Sequence, residues 1–114
     1  MTPTWTISKL DCMLSENGLT NVVYAVHWRY KMSHTIDSQT YEAVTYSATP
    51  IGAPDPASFT TYENLTKEQV VGWVTDAMEA AQSGSVAAMA TRMEAEINAK
   101  ITPVSTSLIP PFQN

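Results

Sequence analysis

Between Val22 and Met32 every second residue is large and apolar: Val22, Tyr24, Val26, Trp28, Tyr30 and Met32. Val23, Ala25, His27, Arg29 and Lys31 lie between them. Successive side chains of a strand point to opposite faces, so this spacing predicts a β-strand with one aromatic, greasy face. Such a face must be covered. It can be the floor of a core, a stacking platform for nucleic acid, or a surface for another protein.

The flanking segments favour a core. Residues 5–14, WTISKLDCML, read as a preceding strand in two phases: Trp5 and Ile7 on one face, then Leu10, Cys12 and Leu14 on the other. A bulge near Lys9 reconciles them, because one inserted residue reverses the facing of everything after it. SENGLTN (15–21) is a turn in which Asn17-Gly18 supplies the positive φ angles of a hairpin. SHTIDSQ (33–39) reads as a polar reversal, and TYEAVTYSAT (40–49) as a third strand rich in Thr, Tyr and Val. Three strands joined by short turns make an antiparallel meander. PIGAPDP (50–56) then breaks regular structure with three prolines, and SFTTY (58–62) is a candidate short edge strand, a fourth.

Two helices follow. Thr66 is a candidate N-cap, with Gln69 completing a capping box and Leu65 and Val70 placed as a hydrophobic staple. The first apolar stripe is Val70, Val71, Val74, Ala77, Met78 and Ala81, flanked by Trp73. Gln82-Ser83-Gly84 ends that helix and Ser85 is the expected cap of the next. The second stripe is Val86, Met89, Ala90, Met93, Ile97 and Ile101, with a Glu96–Lys100 pair outside and Pro103 as the stop. Each stripe needs an apolar partner, and the sheet provides it. The expected fold is therefore α+β: a three- to four-stranded antiparallel meander with two C-terminal helices on one face. Residues 1–102 form the domain. Residues 103–114 form an extended, Pro-rich C-terminal arm.

Composition narrows the function classes. Six basic against eleven acidic residues give a net charge of -5. Nucleic-acid binding rests on phosphate neutralisation by Lys and Arg, and no basic cluster exists here, so no nucleic-acid partner is expected. The single cysteine, Cys12, forms no internal disulfide and no thiolate zinc cage. The opening MTPTWTISKL lacks the basic and apolar regions of a secretory leader, and no apolar run reaches membrane-spanning length. Asn64-Leu65-Thr66 matches a glycosylation sequon, but helix capping accounts for Thr66 better.

The chemistry-bearing residues read as structural. His27 and His34 match no metal-ligand spacing and are expected as solvated side chains. Glu42 is placed to pair with Arg29 or Lys31 across strands. No phosphate loop, nucleophile elbow or metalloprotease helix is present, so neither enzyme activity nor a cofactor is expected. Trp28 belongs in the core and Trp73 at the helix–sheet seam; Trp5 is the tryptophan most open to a partner. The methionines Met78, Met89 and Met93 are core filler at helical spacing. Charged residues make up 15% of the chain, below the roughly 25% of an ordinary soluble domain. The tail VSTSLIPPFQN is uncharged and carries Val104, Leu108, Ile109, Pro110, Pro111 and Phe112. Disordered tails are usually polar, so this one is expected to occupy an apolar groove of its own domain or a neighbour.

Several blocks carry a resemblance. They are Trp5–Ile7, Val26–Arg29, Pro54–Pro56 with Phe59–Tyr62, and Leu65–Val74 (LTKEQVVGWV), followed by the Pro-rich apolar C-terminus. Together they resemble a family of short tailed-bacteriophage proteins, many from marine or cyanobacterial viruses, over nearly the whole chain. Family members often end in a Pro-Trp type of tail where this chain has Pro110-Pro111-Phe112. Their second turn is often shorter than 33–39. The resemblance brings no catalytic residues and implies a virion component. The expectation is a non-enzymatic structural or accessory protein of the virion, a capsid decoration or a tail- or fibre-associated subunit. It would be held in a symmetric assembly by other virion proteins or copies of itself, through Trp5, Val104, Leu108, Ile109, Pro110, Pro111 and Phe112. The alternative class is a small phage-encoded intracellular protein that binds and inhibits a host protein, its acidity suited to a basic target.

Overall fold

The computed structural model describes residues 1–16, 18–52, 59–103 and 107–112. Three strands come first: β1 (Thr2–Glu16), β2 (Leu19–Ile36) and β3 (Gln39–Pro50). They form one antiparallel sheet in the order β1-β2-β3. A 3-10 turn (Tyr62–Asn64) leads to helix α1 (Lys67–Ala81), and α2 (Ser85–Ile101) follows. The expected α+β meander with two helices on one face is what the chain forms.

The two phases of β1 are joined where the sequence demands it. Ile7 pairs with Trp28 and Lys9 with His27, so Ser8 bulges out of the ladder. Trp5, Ile7, Leu10 and Cys12 all pack against the core as a result. A second irregularity lies in β2: Asp11 pairs with Ala25 but Cys12 with Val23, which leaves Tyr24 unpaired on the β1 side. Strict alternation placed Tyr24 on the greasy face. The bulge turns it outward, 47% exposed, and puts Val23 in the core instead.

The reversal predicted over 33–39 is shorter than expected. β2 runs on to Ile36, and Asp37 (φ 50°) and Ser38 (φ 66°) alone make a two-residue turn. Positive φ at both central positions is the type I′ geometry that matches strand twist. At the first hairpin Gly18 (φ 81°) takes the left-handed position; Asn17 lies outside the described residues. No strand forms over 59–61, where a short edge strand was expected; Ser58 and the Pro54–Pro56 part of the connector lie outside the described residues.

Thr66 caps α1 as expected, accepting from the Gln69 N–H at 3.2 Å. The other half of the box does not form. Gln69 instead donates its side-chain amide to Thr60 Oγ1 at 3.0 Å, which ties the incoming chain to the helix start. Ser85 is not a cap but the first residue of α2. Gly84 holds the cap position at φ 82°, which suits a residue without Cβ. The Glu79 carboxylate of α1 accepts from the Ser85 N–H (3.0 Å) and from its Oγ (3.4 Å). One helix thereby supplies the anion that the next helix's N-terminus favours.

The core sits between the helices and one sheet face: Val26, Trp28, Tyr30, Met32 and Ala43 below, Val70, Val74, Met89, Met93 and Ile97 above, all buried. Trp5 packs edge-on against Trp28 and Tyr30, with ring centroids 5.1 and 4.9 Å away. Trp28 Nε1 donates to Thr49 Oγ1 at 2.8 Å, so the buried indole keeps a partner. Trp73 is half-buried against the same cluster. No helix among the described residues is long and apolar enough to cross a membrane.

Candidate interaction site

The sheet has a second face, away from the helices. Residue pairs that face one another across strands share a side, so Thr6, Arg29 and Tyr46 lie there together, as do Thr4, Lys31 and Val44. Their partners are electrostatic. His27 Nε2 donates to Asp11 Oδ2 at 2.7 Å. Lys31 Nζ lies 3.7 Å from Glu42 Oε1, one of the two cross-strand pairings the sequence left open. The Arg29 guanidinium sits 5.8 Å above the Tyr46 ring. His27 is therefore oriented by a carboxylate rather than simply solvated. No hydroxyl or thiol among the described residues hydrogen-bonds it, and no group of three or more potential metal ligands occurs among them.

Tyr46 is 74% exposed and Val44 46%. The sequence reading missed both. The available signal was the hairpin register: once Ile36 pairs with Gln39, Tyr46 must fall beside Arg29. Reading 33–39 as a loop concealed that register.

Lys100 does not pair with Glu96. It reaches across to donate to the backbone carbonyl of Glu42 at the outer edge of β3. Two titratable groups face inward. Burial pushes the Cys12 thiol above its ordinary value of 9.0, and the neighbouring Asp11 carboxylate adds to the shift. Burial likewise pushes the Tyr30 phenol above 10.0, with Glu94 adding to it. Both effects disfavour the charged form, which leaves Cys12 a poor nucleophile.

Of the residues expected to meet a partner, Leu108, Ile109 and Phe112 are 82%, 84% and 79% exposed, and Pro110 and Pro111 between them are exposed as well. Val104 lies outside the described residues. Trp5 is set apart from this group, its ring half-buried against Trp28 and Tyr30 and so part of the core wall.

These features define an α+β domain whose helix pair covers one face of a three-stranded meander; among the described residues the other face and the side chains of Leu108, Ile109 and Phe112 are exposed. The chain belongs to the family described as a domain of unknown function, DUF7936, whose model matches residues 1–112. No curated protein and no solved structure matches the chain.

Proposed function

We propose that this protein is a non-enzymatic structural or accessory subunit of a bacteriophage virion, a capsid decoration or a tail- or fibre-associated component. Other virion proteins hold it through its C-terminal arm, residues 103–114. One observation carries this reading: Leu108, Ile109 and Phe112 stand about four-fifths exposed on a run stiffened by Pro110 and Pro111. Large apolar side chains grouped in water mark a contact surface, and prolines lower the entropy cost of docking it. The sparse charge of the chain suits a subunit that spends its life against neighbours. The phage setting rests on the resemblance of the Trp5–Ile7, Val26–Arg29 and Leu65–Val74 blocks.

Deleting residues 104–114 tests the reading. The truncated domain should fold, since every fully buried core residue among the described ones lies in the sheet and helices, and should be missing from purified particles. Normal incorporation of the truncated chain overturns the role of the arm. Absence of the full-length chain from particles, measured by mass spectrometry against the major capsid protein, overturns the virion reading and moves the search to host proteins.

A further inference from the structure

Among the described residues the order β1-β2-β3 leaves two sheet edges. A bare edge is a row of N–H and C=O groups ready to pair with another strand unless something blunts it. β1 is blunted. Pro3 has no N–H, Ser8 bulges, and the charged Lys9 and Asp11 follow the bulge. β3 keeps an unbroken register with β2 from Gln39 to Pro50, and Glu42 is its single charged residue.

Three contacts fix which way the backbone groups of β3 point. A two-residue turn makes Ile36 and Gln39 the closing hydrogen-bonded pair. The Ile51 N–H donates to the Tyr24 carbonyl at 2.8 Å. Lys100 donates to the Glu42 carbonyl, which is consistent with that carbonyl pointing away from β2. Odd-numbered residues therefore bond β2, and even-numbered ones turn their N–H and C=O outward. Among the outward residues the Glu42 carbonyl is already bound to Lys100, and Pro50 has no N–H. Thr40, Val44, Tyr46 and Ala48 remain, and the last three are symmetric about Tyr46.

We propose that β3 pairs antiparallel with β3 of a second copy about a two-fold axis at Tyr46, which joins two three-stranded sheets into one of six strands. Tyr46 then faces its own copy, Val44 faces Ala48, and Glu42 faces Pro50. The occupied carbonyl of Glu42 falls opposite the residue that has no N–H to offer it. Centring the axis on Val44 would aim the Tyr46 N–H at that occupied carbonyl, and centring it on Thr45 would aim the Ala48 N–H there. No like charges face each other, because Glu42 meets Pro50. The two Tyr46 rings, each under its Arg29, come side by side on the open face and leave water. An isologous contact of this kind closes on itself and gives a dimer rather than a filament. It holds whether or not the protein resides in a virion.

Sedimentation equilibrium of the full chain should give twice the 12.5 kDa protomer mass. Tyr46→Lys places two ammonium groups on the axis and should weaken the dimer roughly tenfold or more, with the circular dichroism spectrum unchanged because Tyr46 is exposed. In a Cys12→Ala background, Tyr46→Cys should oxidise to a covalent dimer, since facing residues lie within disulfide reach, whereas Thr40→Cys should not. A monomeric wild type at its highest soluble concentration overturns the proposal. So does a dimer that survives Tyr46→Lys and fails to cross-link through position 46.

Discussion

Trp28 and Arg29 are neighbours in β2 and occupy different media. Trp28 is 5% exposed, its ring locked against Trp5 and its N–H satisfied by Thr49. Arg29 lies in water over Tyr46. The same contrast runs along the strand: Val26, Tyr30 and Met32 are buried beneath the helices, while His27 and Lys31 hold Asp11 and Glu42 across the open face. Packing supplies stability on the covered face. The open face carries ion pairs, and partly exposed pairs contribute at most about 1 kcal/mol each. Residue choice on that face is therefore free to serve contact with a partner.

The sharpest test sets the two neighbours against each other. Trp28→Ala should cost about 3–5 kcal/mol in chemical denaturation, and Arg29→Ala about 0.5 kcal/mol or less. Equal losses would erase the distinction between the faces. Deleting Ser8 removes the bulge and should turn Trp5 and Ile7 onto the open face, at a cost of about 2–3 kcal/mol and with a marked rise in tryptophan quenching by acrylamide. Thr66→Ala removes the cap of the covering helix and should cost about 1 kcal/mol, read as a lowered denaturation midpoint with an unchanged slope. The smallest effect is a titration. The Tyr30 phenol is held above 10.0, so its contribution to stability is complete below pH 10 and fades as pH climbs through the higher folded value. Glu94→Gln removes a negative charge beside it and should bring its ultraviolet titration down in pH. It should remain above the ordinary value, because burial is the larger cause.

Much of the fold was legible because period two and period 3.6 are hard to confuse over long runs. The faces of β2 from Val26 to Met32, both helix stripes and the bulge in β1 follow from spacing alone. What spacing concealed were the places where one residue changes register. Tyr24 looks like a core residue until Cys12 is seen to pair with Val23. Asp37-Ser38 is an uncommon composition for a type I′ turn, in which Asn-Gly or Asp-Gly is usual, so the polar run 33–39 looked longer than the turn it contains. The proposed contact surfaces were half legible. The exposed Leu108, Ile109 and Phe112 declare themselves by composition, but the β3 edge, with which no strand among the described residues pairs, appears only when Lys100 and Pro50 are located on it.

The meander precedes its cover in chain order, and this has a consequence during synthesis. β3 ends at Pro50, whereas α2 ends at Ile101. At ribosomal rates of roughly 5–20 residues per second, the second helix is completed roughly 3–10 s after the last strand. For that interval Val26, Trp28, Tyr30 and Met32 form an uncovered apolar slab at the tunnel exit. A nascent chain of this design needs either a holding chaperone or slow aggregation kinetics. Translation pauses within the region 53–66 would prolong the interval and lower the soluble yield.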